Sequence, residues 1–152
     1  MPEFETKRVV SHSAENMFDL VADVEQYPKF VPLCEKLSVR GQKERSDGCI
    51  VLVADMTIAY TVFRETFTTK VIMDRANKKI DVEYLDGPVS ELENIWTFKG
   101  LSDDSSEVRF FLNYEFKSRA FATLMGAVFD AAFRRFASAF EKRADEVYGK
   151  SA

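Results

Sequence analysis

The stretch Val108-Arg109-Phe110-Phe111-Leu112-Asn113-Tyr114-Glu115-Phe116-Lys117, followed at once by Ser118-Arg119-Ala120-Phe121-Ala122-Thr123-Leu124-Met125, decides the fold. Its hydrophobic period changes there from every second residue to one helical turn. In the first half Val108, Phe110, Leu112, Tyr114 and Phe116 alternate with Arg109, Asn113, Glu115 and Lys117, as in a strand with one wet face. In the second half Phe121, Leu124, Met125, Val128, Phe129, Ala132, Phe136, Ala139 and Phe140 recur at i, i+3, i+4 and i+7. Arg134, Arg135, Glu141, Lys142 and Asp145 supply the polar side, and Ser118 opens the helix. Helical spacing continues to about Tyr148, which at 1.5 Å per residue makes a rod about 45 Å long. Such a rod outruns a small domain, so its end is expected to project or fray.

Upstream of this junction the period of two extends back to Glu35, with turn signals at Ser46-Asp47-Gly48, Ala76-Asn77-Lys78, Asp86-Gly87-Pro88 and Ser102 to Ser106. Ile50 through Val62, Phe67 through Met73, Ile80 through Tyr84 and Leu92 through Phe98 each alternate, and hairpin-length connections between them imply an antiparallel meander. Before it, Phe4 to Val10 reads as a strand. Met17, Phe18, Leu20, Val21 and Val24 form a helix of about three turns capped by Ser11 or Ser13. Between helix and meander lies Tyr27-Pro28-Lys29-Phe30-Val31-Pro32-Leu33-Cys34, whose two prolines allow only a short helical turn or a shaped loop. The class is therefore α+β: six to seven antiparallel strands curved around one long C-terminal helix, the arrangement that buries both apolar faces at once.

At 152 residues the chain fits one domain spanning 1–152. It holds 14 Phe against 5 Tyr and 1 Trp. Rings without a polar handle favour a dry surrounding, so the fold must enclose a large apolar volume, filled or hollow. A net charge of -4 lacks the global footprint of a nucleic-acid binder, and DNA is not an expected partner. The basic residues Lys36, Arg40, Lys43 and Arg45 are interleaved with Glu35 and Glu44 and read as a solvated strand face. No apolar run reaches the roughly 20 residues of a membrane span. The first residues, Met1-Pro2-Glu3-Phe4-Glu5, lack the pattern of an export signal. Cys34 and Cys49 are accordingly expected to stay reduced, in a bacterial cytoplasm.

Catalytic signatures are scarce. The sequence has no Gly-rich phosphate loop, zinc-ligand cluster or nucleophile elbow. The single histidine, His12, sits at a strand-to-helix junction, where a solvated or capping role is the plainer expectation. Asp55 has the parity of the wet face, and Glu65 that of the dry one. Asn94 and Trp96 share parity with Leu92 and Phe98, so they should face the concave side. A buried amide or indole N–H needs a partner, which either the backbone or a carbonyl-bearing ligand provides. The pattern leaves packed core and ligand cavity both open.

The segment Tyr27 to Cys34, the Gly87-Pro88 turn followed by Leu92 through Trp96-Thr97-Phe98, and the strand Val108 to Lys117 running into the long helix resemble the coenzyme Q-binding, START-like branch of the polyketide cyclase and lipid-transport superfamily. The resemblance spans essentially the whole chain. It implies a helix-grip fold of the START/Bet v 1 type, with an apolar cavity for ubiquinone or a related polyisoprenoid lipid. The function implied is a non-enzymatic carrier or chaperone for quinone biosynthesis and respiration, without cofactor or metal. On the matching positions Pro28, Phe30, Pro32 and Leu33 would form a lid, Leu92 and Trp96 the concave wall, and Phe121, Leu124, Met125 and Phe129 the helix wall. Trp96 and Asn94 would donate to the quinone carbonyls. The family also contains ribosome-association toxins that bind the large subunit, and polyketide cyclases or aromatases, so these stand as alternatives. Transient membrane contact, peripheral at the inner membrane, is compatible with such a carrier.

Overall fold

The computed structural model describes residues 3–149. The elements run β1 (Glu3–Val10), α1 (Ala14–Ala22), a 3-10 helix (Val24–Lys29), β2 (Cys34–Glu44), β3 (Ile50–Tyr60), β4 (Phe63–Asp74), β5 (Lys79–Asp86), β6 (Val89–Ser102), β7 (Ser105–Phe116), α2 (Arg119–Arg134) and α3 (Phe136–Tyr148). The strands form one sheet in the order β1-β7-β6-β5-β4-β3-β2, antiparallel throughout. β2 to β7 are a meander, and β1 closes the far edge against β7.

Alternation fixes which face turns inward. Leu52, Ala54 and Ile58 on β3, Phe67, Val71 and Met73 on β4, Trp96 and Phe98 on β6, and Phe110, Leu112 and Tyr114 on β7 are all buried on the concave side. Register shifts that leave an extra residue on β2, β5 and β6 bend the strands, as bulges do, and give the sheet its curl around the helices. The β5–β6 turn needs Gly87: its φ is +151°, and a Cβ there would lie 3.0 Å from the Thr66 carbonyl oxygen. This is the helix-grip arrangement the sequence points to.

The junction at Ser118 forms as expected, its hydroxyl accepting the Phe121 backbone N–H at 3.2 Å. The cap of α1 is Ser13, which accepts from the Asn16 N–H at 3.0 Å. The terminal helix differs from the expected straight rod. It breaks at Arg135 (φ -89°, ψ -8°) into α2 and α3. No proline or glycine stands at the break. The bend keeps α3 on the body instead of letting it project: Phe140 and Ala144 are 1% and 0% exposed. A straight helix would carry those side chains past the sheet, and the burial of Phe140 alone is worth roughly 2 kcal/mol or more.

His12 corrects another expectation. It is buried rather than solvated, and its Nε2 lies 2.7 Å from Asp145 Oδ1 on α3. Its carbonyl accepts from Ser106 Oγ at 2.8 Å. The histidine thereby ties the β1–α1 junction to β7 and to the end of α3. Asp55, expected in solvent, is half-buried on the convex face, where Arg40 donates to both its oxygens and Thr68 Oγ1 donates at 2.6 Å. Cys34 and Cys49 are both free and buried.

Candidate functional site

Between the concave face and the terminal helices lies a cavity of about 90 Å³. Every strand from β2 to β7 contributes to its wall, through residues such as Leu37, Met56, Phe67, Val82, Trp96 and Phe110. Val24 and Tyr27 of the 3-10 helix close one side, and Phe133, Phe136 and Phe140 form the helical wall. The aromatic rings meet edge to face: Trp96 lies 4.7 Å from Phe110 and 4.9 Å from Phe140, and Phe140 in turn 5.2 Å from Tyr27. Such contacts hold the rings in fixed orientations.

Polar groups at this surface are few. Asn94 lines the cavity and its Nδ2 donates to the Phe111 carbonyl at 2.8 Å, so one amide hydrogen is satisfied by backbone. Trp96 is 3% exposed and lines the cavity. Thr69 adds a hydroxyl. Tyr27 donates its hydroxyl to the Val21 carbonyl, and burial drives its phenol well above the ordinary range. Burial likewise pushes the Cys34 thiol up to about 11. Among the described residues no carboxylate and no histidine lines the cavity. Among the same residues no cluster of three or more His, Cys, Asp or Glu is placed to hold a metal, and no helix is long and apolar enough to cross a membrane.

The expected site residues divide. Leu92, Asn94 and Trp96 come together on the cavity wall. Pro32, Leu33 and Phe129 line a separate narrow crevice with Ile58. Phe121, Met125 and Phe129 border another, against Tyr60 and Phe63 at the β3–β4 end. Leu124 is 59% exposed and points away from the interior. Phe30 packs on Tyr27 and Phe140, with the Arg143 guanidinium 5.4 Å above its ring, and so buttresses the cavity wall from outside. The helical wall therefore lies further along the chain than the positions expected from the sequence. Its signal is the spacing Phe129, Phe133, Phe136, Phe140, which a projecting helix end would leave outside the fold.

Two of the four described cations on β2 and its hairpin are paired, while Lys36 and Lys43 are exposed. Arg40 pairs with Asp55 at 2.7 Å and Arg45 with Asp47 at 2.5 Å. Arg64 bridges to Glu35 at 2.8 Å.

Residues 10–141 match the family model described as polyketide cyclase / dehydrase and lipid transport. The ribosome association toxin RatA of Escherichia coli is 32% identical over 97% of this chain and 90% of its own length. The mitochondrial coenzyme Q-binding protein COQ10 homolog B of Xenopus laevis is 30% identical over 97% of this chain and 60% of its own length. Among solved structures, an 18 kDa Caulobacter crescentus protein superposes with a TM-score of 0.77 at 30% identity, covering 98% of this chain and 99% of that one. A START superfamily protein from Mycobacterium smegmatis gives 0.77 at 20% identity over 95% and 98% of the two chains. A Streptomyces aromatase/cyclase gives 0.76 at 17% identity over 99% of each. The last two likenesses are of fold alone.

Proposed function

From the premise that this chain belongs to the polyketide cyclase / dehydrase and lipid transport family, we propose that it is a non-catalytic carrier for a neutral prenylquinone of the ubiquinone class, serving quinone biosynthesis and respiratory electron transfer. The observation that carries this reading is the chemistry of the cavity wall: aromatic and aliphatic on every side, with Asn94, Trp96 and Thr69 as isolated polar groups. A cyclisation needs a group to take or give a proton at the reacting atom. The described wall offers no carboxylate or imidazole for that task. A quinone asks for apolar contact along its chain and one or two donors at its carbonyls, which an apolar pocket with a few convergent polar groups supplies. The Trp96 indole N–H and the second Asn94 amide hydrogen are the donors. The name of the COQ10 relative, matched over 97% of this chain, agrees with that ligand class.

The test is organic extraction of the protein purified from quinone-replete cells, followed by mass spectrometry. Near-stoichiometric ubiquinone-class lipid is expected, falling severalfold in Trp96→Phe and Asn94→Ala. Equal quinone in both variants and the wild type would remove these two residues from the site. A protein that comes out lipid-free and co-sediments with large ribosomal subunits would replace the reading with the second one. That second reading, ribosome association, is favoured by the 32% identity to RatA across nearly all of both chains. Against it stands the net charge of -4, since binding to RNA draws mainly on cations that face phosphate.

A further inference from the structure

The cavity is too small for its proposed guest. At about 90 Å³ it falls below the roughly 150 Å³ that admits even benzene. Immediately beyond it, however, lies a groove of about 500 Å³ between α1, the 3-10 helix and the outer ends of β2, β3 and β4. The two spaces lie on the same concave surface. One pleat repeat along each strand, the wall passes from cavity to groove: Leu37 to Val39 on β2, Ala54 to Leu52 on β3, Val71 to Met73 on β4. Val24 lines both spaces and is itself 5% exposed. It is the residue common to both linings.

Val24 also stands where the backbone changes character. The residue before it, Asp23, closes α1 with ψ of 68°, outside helical values, and a 3-10 helix with Pro28 inside it follows. A 3-10 stretch of this length is uncommon. The groove floor is apolar, from Val39, Ile50, Leu52 and Met73, but its rim is acidic, from Asp19, Asp23, Glu25 and Glu44. Arg75, the one cation among the described residues of the groove, is already engaged by Asp19 at 2.6 Å and by Glu15.

We propose that the groove is the entry and tail channel of the cavity, that Val24 is its gate, and that the acidic rim is a charge filter admitting neutral isoprenoid lipids and rejecting anionic ones such as fatty acids and prenyl diphosphates. The inference rests on the carrier reading and adds the route and the selectivity. With Val24 swung aside, cavity and groove make one space in the range of about 300–1,000 Å³ usual for organic ligands. The quinone ring then sits against Trp96 and Asn94, and the chain lies along the floor of Val39, Leu52 and Met73. Carboxylates at the rim of a low-dielectric channel hold a negative potential there, which slows the approach of an anion and leaves a neutral lipid unaffected.

Trp96 is the only tryptophan in the chain and lines the cavity, so its fluorescence reports arrival. Stopped-flow quenching by decylubiquinone is expected to slow about tenfold or more in Val24→Phe and to quicken in Val24→Ala. Doxyl-labelled stearate and its neutral methyl ester then isolate charge. At low salt the ester should associate about tenfold faster than the acid, the gap closing with added salt and in Asp23→Lys/Glu44→Lys. The two rim residues are exposed, so this variant folds whatever Val24→Phe does. Equal rates across both Val24 variants and the wild type, or an acid-to-ester ratio unmoved by the rim reversal, would overturn the channel while leaving the carrier intact. Absence of any quenching of the wild type by decylubiquinone would instead bring down the carrier reading, and the channel with it.

Discussion

The two halves of the terminal helix look alike in sequence and do different work. α2 and α3 both carry Phe at helical spacing. Phe121 and Phe129 of α2 nevertheless interlock with Phe116 and Phe67 at 5.3 to 6.2 Å and close their end of the sheet down to narrow crevices. Phe133, at the end of α2, and Phe136 and Phe140 of α3 leave a space. The difference comes from what stands opposite. The α2 rings meet other rings at the short β3–β4 end, whereas Phe140 meets Trp96 on the sheet and Tyr27 on the 3-10 helix, three bulky groups that brace one another before the gap between them is filled. Rigid edge-to-face rings are poor at collapsing into a void, and a helix-grip cavity forms where they accumulate on both walls.

This contrast can be broken by substitution along the helix. The largest effect belongs to Phe140→Ala, which removes a ring that is 1% exposed and should cost about 3–5 kcal/mol in urea unfolding. It should also change decylubiquinone quenching of Trp96, because it strips one wall of the cavity. Phe129→Leu should cost about 1 kcal/mol, as a large-to-smaller swap in packed core, and leave the quinone affinity at the wild-type value. Altered affinity there would mean that α2 shares the site after all. Leu124→Gln, at a position 59% exposed, should stay within about 0.5 kcal/mol of wild type and leave binding untouched. A loss of quinone from that variant would restore the position to the binding wall.

Much of the concave wall is legible in the amino-acid order alone. Leu92, Asn94 and Trp96 follow from parity on one strand, because a strand shows its faces to anyone who counts by twos. The N-cap at Ser118 and the amphipathic run after it are equally plain, since both are written in neighbouring residues. His12 is not legible in this way. Its partners Asp145 and Ser106 lie 133 and 94 residues away, and nothing near His12 in sequence announces them. The helical wall escapes for a related reason. Local spacing cannot say which turn of a long amphipathic helix faces packed rings and which faces a gap.

The amino-acid order alone carries the α+β class, the inward and outward faces of each strand, the helical nature of the C-terminal run and the dryness of what it encloses. Those properties live in periods of two and of one helical turn, which are local and cumulative. The break at Arg135, the burial of His12 on Asp145, the position of the cavity between Trp96 and Phe140, and the place of Val24 on both cavity and groove arise in the packed molecule. Each of these depends on which rings and backbone segments meet across the chain, and close packing, unlike periodicity, is fixed by volume and shape at the meeting point.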